Sequence, residues 1–267
     1  MARIGLVAGE GRLPIVFARM AKDKGDTVIA IGVKGMTDPL LEGYVHKLHW
    51  LEWGNWQKGL FLCVSERIRN IIMLGKIKKD RFFKDGDQLD DEAKRILDKL
   101  GDKKDSSIFN EVTKYLGKLG VKVIDSTTYM NDLIPRKGTL TKREPDKREW
   151  ADIEYGRTIA SELSRFDIGQ TLAIKDKTVI ALEAVEGTDE TISRAGTLTD
   201  DGFVAVKMAR PDQDMRFDVP LVGLETLKAL IEAGGTTLAM ESNKTLLMDR
   251  EEVIKLADQN NISIVII

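Results

Sequence analysis

The chain has little of the chemistry on which many enzyme classes depend. Its 267 residues include one cysteine, Cys63, and two histidines, His46 and His49. A single cysteine excludes a disulfide framework, and its apolar surroundings predict a small buried side chain. Zinc centres and histidine-based acid–base chemistry usually need more histidine or cysteine. Any metal is therefore expected to bind carboxylate oxygens, which favours hard cations such as Mg²⁺ or Mn²⁺.

Long hydrophobic runs and an excess of one charge are also missing. No stretch of about 18 apolar residues is present, which is the length needed to cross a bilayer. The 41 basic and 43 acidic residues leave a net charge of −2, which argues against a dedicated nucleic-acid-binding protein. The first residues do not follow the pattern of a secretory signal peptide. We expect a cytoplasmic protein, a location that still allows peripheral contact with a membrane surface.

The first half of the chain alternates between strand-like and helix-like patterns. This alternation predicts an α/β fold in which a parallel, Rossmann-like sheet of residues 1–134 has helices on both faces. The predicted strands cover residues 3–8, 27–33, 70–74 and 121–124, and the predicted helices cover residues 13–24, 55–69, 89–100 and 108–119.

The composition changes after this domain. Residues 135–148 are polar, contain two prolines and carry six lysine or arginine residues. This predicts an interdomain connection, although a long loop within one domain fits as well. Residues 149–267 predict a second, mixed α/β domain with antiparallel strand pairs, including a hairpin that turns at residues 175–177.

A glycine turn follows the first predicted strand. Gly9 and Gly11 precede a helix, an arrangement that can present backbone N–H groups to phosphate, although a tight turn alone would also need glycine. Pro14 occupies the place of a third glycine, and the second strand ends without the acid that binds a ribose, so a nicotinamide or flavin cofactor is not expected. Gly75 and Lys76 follow a central strand. They could bind an anionic ligand there, or they could belong to a solvent-exposed basic loop.

The densest charge pattern lies between residues 207 and 226. Three acids, Asp212, Asp214 and Asp218, are interleaved with three bases, Lys207, Arg210 and Arg216. Such a set suits a metal-assisted reaction at phosphate, because acids hold an ion or water while bases neutralise phosphate oxygens. A charged surface turn is the simpler interpretation.

Two further loops are candidates for the same site. One is acid-rich, contains Glu186, Thr188 and Asp189, and is followed by Arg194, although Thr188 and Asp189 could instead cap a helix. The other, residues 166–170, precedes a strand. If the strands over residues 178–184 and 203–208 are parallel neighbours, the loops that follow them open at the same edge of a sheet.

Taken in order, these segments resemble a known family over essentially the whole chain. V-A-G-E-G-R-L-P, G-K-I-K-K-D, F-D-I-G-Q, E-A-V-E-G-T-D and K-M-A-R-P-D-Q-D-M-R-F-D-V-P are similar to the UDP-2,3-diacylglucosamine hydrolases (pyrophosphatases) of lipid A biosynthesis, the type unrelated to calcineurin-like metallophosphoesterases. The resemblance implies a two-domain, Mg²⁺-dependent homodimer that cleaves UDP-2,3-diacylglucosamine to UMP and 2,3-diacylglucosamine 1-phosphate (lipid X). Water is expected to attack the sugar-side phosphorus. The essential aspartate of the family corresponds to Asp218.

These considerations assign roles to particular residues. The predicted catalytic residues are Asp218, Asp214, Lys207 and Arg216. The predicted metal ligands are Glu186, Asp189 and Asp218. The predicted substrate-binding residues are Gly9, Gly11, Gly75, Lys76, Asp167, Gln170, Thr188, Arg194 and Gln213. An apolar slot between the domains is expected for the acyl chains, with Trp50, Trp53, Trp56, Phe82 and Phe83 as candidate lining. A pyrophosphatase acting on a soluble nucleotide-sugar and a non-catalytic nucleotide-binding module are the alternatives.

Overall fold

The computed structural model describes residues 1–76, 88–100, 105–163, 166, 168–200, 202–210, 213–217 and 219–267. The chain divides into two compact units. The first unit comprises Met1–Met130 together with Asp214–Asp218, and the second comprises Asn131–Gln213 and Val219–Ile267. A short segment from the C-terminal half of the sequence therefore belongs to the N-terminal unit.

The described residues of the first unit form a parallel sheet. Its strands are β1 (Arg3–Ala8), β2 (Thr27–Val33), β3 (Lys47–Leu51), β4 (Asn70–Leu74) and β5 (Lys122–Val123), in the order β3-β2-β1-β4-β5. All neighbouring pairs are parallel, which confirms the predicted Rossmann-like sheet. The helices are α1 (Leu13–Asp23), α2 (Trp56–Ser65), α3 (Asp91–Leu97) and α4 (Asp105–Lys118), with a 3-10 helix at Pro39–Tyr44.

Sequence patterns explain why these segments form these elements. The interior of β2 is buried over five consecutive residues, as expected for a strand covered on both faces. In α1, Leu13, Phe17 and Ala21 recur on one buried face, and Pro14 lies in the first turn, where its missing N–H costs no hydrogen bond.

The second unit is built on a mixed sheet. Its strands are β6 (Gly138–Thr139), β7 (Thr171–Lys175), β8 (Thr178–Leu182), β9 (Val204–Lys207), β10 (Leu221–Val222), β11 (Thr237–Met240), β12 (Leu246–Leu247) and β13 (Ser263–Ile266). Six of them form one sheet in the order β6-β13-β11-β9-β7-β8, while β10 pairs with β12. The helices are α5 (Lys147–Leu163), α6 (Thr188–Leu198), α7 (Leu224–Glu232) and α8 (Arg250–Gln259). Residues 135–148, predicted as an interdomain connection, include the edge strand β6.

The predicted antiparallel hairpin is confirmed. Strands β7 and β8 pair antiparallel around Asp176 and Lys177, whose φ angles of 49° and 56° suit a two-residue turn that matches strand twist. One arrangement considered from the sequence made β8 and β9 parallel neighbours. They are not neighbours, because β7 lies between them. Since β7 is antiparallel to both, β8 and β9 still run in the same direction and end at the same edge.

A buried ion pair ties the start of α5 to this sheet. Arg143 Nη2 donates to both oxygens of Glu149 at 2.8 Å, and Arg143 Nη1 donates to Ser263 Oγ at 2.7 Å. Glu149 also accepts from the amide of Asp146, while Asp146 accepts from the amide of Glu149, so the two form a capping box. Glu149 is 8% exposed. The pair thus joins the loop after β6, the helix start and the sheet.

Replacing Glu149 with Ala is expected to lower the free energy of unfolding by about 3 kcal/mol, because Arg143 is left largely buried without its counter-charge. Burial alone would raise the pKa of Glu149, but hydrogen bonds led by that from Arg143 outweigh burial and lower it. The stabilisation is therefore present above the ordinary glutamate pKa and is lost as pH falls. Urea unfolding of the wild type and of Glu149→Ala, measured at pH 7 and in steps down to about pH 3, follows the loss of this stabilisation. Glu154→Ala, which removes an exposed pair on the same helix, should change stability little.

Candidate active site

A buried lysine lies at the edge where β8 and β9 end. Lys207, the last residue of β9, is 5% exposed. Its Nζ donates to Thr188 Oγ1 at 2.5 Å and to Thr171 Oγ1 at 3.4 Å, and the two hydroxyls are 3.2 Å apart. Thr188 is the first residue of α6, and Thr171 is the first of β7. The ends of two strands and the start of a helix therefore converge on one ammonium group.

This lysine has no direct ion pair within the described part of the chain. The nearest acid in its network is Glu183, which it reaches through Thr188, whose Oγ1 lies 3.3 Å from both carboxylate oxygens. Burying an ammonium group without a bonded counter-charge costs free energy. A group kept at that cost is suited to neutralising an anionic ligand.

Two predicted neutral ligands flank the lysine network. Gln170 Nε2 donates to Gln213 Oε1 at 3.2 Å, and the amide of Gln170 donates to Glu183 at 3.1 Å. The loop packs so closely against Glu183 that a Cβ on Gly169 would come within 2.4 Å of the Glu183 side chain. Glycine is therefore required at this position. Asp167, predicted in the same loop, lies outside the described residues.

The predicted metal ligands Glu186 and Asp189 have separate partners. Glu186 accepts from Arg194 Nη2 at 2.7 Å, and its pKa is lowered by its own backbone amide and by Arg194. Asp189 accepts from Thr226 Oγ1 at 2.7 Å. Among the described residues, no three His, Cys, Asp or Glu side chains are grouped to hold a metal ion. Asp218, the third predicted ligand, lies outside the described residues, so the acids that are described do not by themselves fit a divalent cation.

The segment that precedes Asp218 is anchored in the first unit. Phe217 stacks on Phe109 with ring centroids 4.6 Å apart, and the amide of Ser126 donates to the carbonyl of Met215 at 3.0 Å. Arg216 Nε donates to Asp214 Oδ1 at 2.9 Å and Arg216 Nη2 donates to Asp214 Oδ2 at 2.5 Å. Arg216 lowers the pKa of Asp214. These two predicted catalytic residues are therefore paired with each other.

The glycine turn of the first unit lies against the loop that follows β4. Gly9 N donates to the Leu74 carbonyl at 2.8 Å, and Glu10 and Lys76 exchange two backbone hydrogen bonds of 2.9 Å. A Cβ on Gly9 would lie 2.7 Å from the Lys76 carbonyl oxygen. Gly75, with a φ of 93°, would place a Cβ 2.7 Å from Gly9. Both glycines are thus required by the close approach of the backbones.

The helix that follows this turn starts at the point where the strand order reverses, between β1 and β4. Gly11 has a φ of 100° with open space around it. Ligands of open α/β sheets bind at such a reversal. The amides of Gly9 and Glu10 already have backbone partners, Pro14 has no N–H, and the amide of Ile15 donates to the carbonyl of Arg12. Phosphate contacts here would therefore come from the amides of Gly11 and Leu13.

The structure adds two residues to which the sequence analysis gave no role. Thr171 and Glu183 are joined to Lys207 through Thr188. The sequence indicated them only weakly, because each lies at the end of a predicted strand, next to a segment already singled out.

Of the predicted apolar lining, Trp53 is buried and Trp50 and Trp56 are partly buried. Phe82 and Phe83 lie outside the described residues.

Comparisons with known proteins give one family over nearly the whole length of the chain. The LpxI N-terminal domain family model matches residues 3–133, and the LpxI C-terminal domain model matches residues 136–265. A protein of Caulobacter vibrioides described as UDP-2,3-diacylglucosamine pyrophosphatase LpxI is 27% identical over 270 residues, which cover 97% of this chain and 95% of that protein.

Similarity to solved structures is much weaker. A biotin carboxylase from Campylobacter jejuni is 11% identical, with a TM-score of 0.29, over 73% of this chain and 41% of that one. The biotin carboxylase domain of a Hydrogenobacter thermophilus 2-oxoglutarate carboxylase is 12% identical, with a TM-score of 0.25, over 73% of this chain and 40% of that one. The chain thus spans about two fifths of each, and scores this low carry no argument.

Two observations complete the comparison. No helix within the described residues combines the length and apolar character needed to cross a membrane. The two family models between them match nearly all of the sequence, as the order of its motifs predicted. The chain belongs to the LpxI family.

Proposed function

We propose that this protein hydrolyses the pyrophosphate bond of UDP-2,3-diacylglucosamine to UMP and 2,3-diacylglucosamine 1-phosphate in lipid A biosynthesis. Membership of the LpxI family supports the reaction. The observation that carries the chemistry is Lys207, an almost fully buried ammonium group bonded only to hydroxyls among the described residues.

The lysine network suits stabilisation of a pyrophosphate under attack. The negative charges of the pyrophosphate repel an incoming water, and charge develops on phosphoryl oxygens as the bond breaks. An ammonium group has three donors. Two of those on Lys207 are directed to Thr171 and Thr188, which leaves the third for a phosphoryl oxygen. Because the surroundings exclude water, this interaction is stronger than it would be at an exposed lysine.

The remaining parts of the proposal concern other residues and the cofactor. Gln170 and Gln213 supply neutral hydrogen bonds to the substrate, and Asp218 orients the attacking water. Mg²⁺ or Mn²⁺ is proposed as the cofactor, with Asp218 as its protein ligand; when bound, such an ion neutralises phosphate charge. We also propose that the protein is a cytoplasmic homodimer that meets its diacylated substrate at the inner face of the inner membrane.

The purified protein should convert detergent-dispersed UDP-2,3-diacylglucosamine to UMP and lipid X in oxygen-18 water. The label is expected in lipid X, because attack at the sugar-side phosphorus places the new oxygen there. Parallel reactions with chelator, Mg²⁺ or Mn²⁺ test the cofactor, and UDP-N-acetylglucosamine tests the need for acyl chains. Equal cleavage of both substrates would favour a pyrophosphatase acting on soluble nucleotide-sugars. Binding without UMP release under every metal condition would favour a non-catalytic module.

A further inference from the structure

The helix α2 of the first unit has apolar side chains on its outer face. Residues 60–64 of this helix are all apolar. Leu62 and Cys63 are buried, whereas Phe61 is 67% exposed and Val64 is 53% exposed. Phe61 and Val64 are three residues apart, so they are neighbours on the helix surface. Large apolar side chains that are grouped on an outer face mark a surface that a partner covers.

The helix α4 ends at the same edge of the sheet as α2. Both helices pack on one face of the sheet, because Leu62 of α2 and Leu116 of α4 share a buried cluster with Ile71 and Val123. The helix α2 leads into β4 and α4 leads into β5, and these two strands are parallel neighbours. Leu119, which follows α4, is 41% exposed. It adds a third exposed apolar side chain at the amino edge of the sheet.

Four basic residues border these apolar side chains. Arg67 and Arg69 lie between α2 and β4, while Lys118 is the last residue of α4 and Lys122 is the first of β5. All four are exposed. The amide of Lys122 donates to the carbonyl of Arg69 at 2.8 Å, so the two segments lie side by side. Within the part of the chain that the structure describes, none of the four side chains forms a salt bridge.

The acid nearest to these cations in the sequence, Glu66, is already neutralised. Glu66 accepts from Arg3 Nη2 at 2.7 Å and from Lys47 Nζ at 2.5 Å. His49 Nε2 lies 2.8 Å from the same carboxylate. The hydrogen bond from Lys47, followed by that with His49, lowers the pKa of Glu66 to about 2. Asp90 lies at the other end of α2, against its first turn. The charge at this edge of the sheet is therefore positive.

This charge indicates the kind of partner. A two-fold contact between copies of the chain would place the same patch on both sides, and its cations would repel one another. An anionic bilayer attracts such residues, and each lysine or arginine near its surface strengthens binding by about fivefold. Apolar side chains among the basic residues can enter the headgroup region at the same time.

We propose that this surface docks on an anionic lipid bilayer, with Phe61, Val64 and Leu119 in the headgroup region and the four basic residues on lipid phosphates. The choice of a membrane rests in part on the proposed function, because the diacylated substrate resides in a bilayer. The preference for an anionic partner rests on the four cations alone. The surface lies at the opposite edge of the parallel sheet from the glycine turn, so it is separate from the predicted phosphate contacts there.

Co-sedimentation with vesicles tests the proposal without requiring catalysis. The wild type should bind vesicles of phosphatidylcholine with about one third phosphatidylglycerol at least about tenfold more tightly than vesicles of phosphatidylcholine alone. Most of this binding should be lost at about 1 M salt, where the Debye length is about 3 Å.

Phe61→Ser combined with Val64→Ser should weaken binding to the anionic vesicles by about tenfold or more, because two apolar side chains no longer leave water. The matched control is Leu40→Ser. It removes a leucine that is 70% exposed on the 3-10 helix and should bind as the wild type does.

Arg67→Gln combined with Arg69→Gln tests the charges. This variant should bind anionic vesicles about tenfold or more weakly and bind phosphatidylcholine vesicles as the wild type does. Its control is Arg19→Gln with Lys22→Gln, which removes two exposed bases from α1 and should bind as the wild type does. Thermal unfolding and light scattering establish the fold and the oligomeric state of each variant.

The proposal would be overturned if the wild type did not bind anionic vesicles, or if Phe61→Ser with Val64→Ser bound them equally well. Dissociation of a homodimer in that variant, with vesicle binding unchanged, would make this face an interface between copies. If detergent-dispersed UDP-2,3-diacylglucosamine is cleaved but vesicles are not bound, the docking surface is wrong and the proposed function stands. If vesicle binding depends on Phe61 and Val64 but this substrate is never cleaved, the proposed function is wrong and the docking surface stands.

Discussion

Asp218→Ala is expected to lower kcat by about 10³-fold while changing KM by less than about threefold. A carboxylate that orients water acts mainly in the transition state, so its removal affects turnover much more than binding. Initial rates of UMP release over a range of substrate concentrations separate the two constants. Asp218→Asn should be similarly inactive, because an amide cannot accept the proton of a water or hold a cation as a carboxylate does.

The family resemblance, and not the geometry, singles out Asp218; the structure adds that its neighbour Asp214 has another partner. Asp214 is already occupied by the guanidinium of Arg216, with which it shares side-chain hydrogen bonds of 2.5 to 3.0 Å. Its replacement by Asn should release Arg216 and raise KM rather than abolish turnover. Asp23→Asn, at an exposed position in the last turn of α1, is the control for loss of one acidic charge. Near-normal kcat in Asp218→Ala would remove this residue from the mechanism.

Most of the fold could be predicted from local sequence patterns. The parallel character of the first sheet follows from short apolar strands alternating with helices, although the edge strand β3 was not among the predicted strands. The β7–β8 hairpin follows from two strand-like segments around a charged turn. Both depend on interactions between segments that are close in sequence, where periodicity and turn chemistry are informative. The glycines at positions 9 and 75 were also identifiable, although their close mutual approach was not.

The features that could not be predicted depend on contacts between residues that are far apart in the sequence. Nothing local indicates that Phe217 stacks on Phe109, so the assignment of Asp214–Asp218 to the first unit could not be foreseen. Thr171 gains its place beside Lys207 only because β7 inserts between β8 and β9. Likewise, Glu186 and Asp189 are close in sequence, but their partners, Arg194 and Thr226, come from different helices.

Lys207→Met is expected to lower kcat by about 10²- to 10³-fold, the usual effect of removing one donor to developing charge. The same change should leave the free energy of unfolding unchanged or raise it by up to about 1 kcal/mol, because methionine replaces the buried alkyl chain and removes a charge that bonds to no carboxylate among the residues the structure describes. The hydroxyls of Thr171 and Thr188 remain paired with each other, which limits the cost of losing the ammonium.

These opposite effects distinguish catalysis from structural support. Urea unfolding and initial-rate measurements on the same preparations provide both quantities. Lys228→Met, which removes an exposed lysine paired with Glu225 on α7, should leave both unchanged. If Lys207→Met instead unfolded at much lower urea while the folded fraction kept its kcat, the ammonium would be a structural link among Thr171, Thr188 and the sheet edge. A fall in kcat without loss of stability would mean that the fold tolerates the buried charge because the substrate requires it.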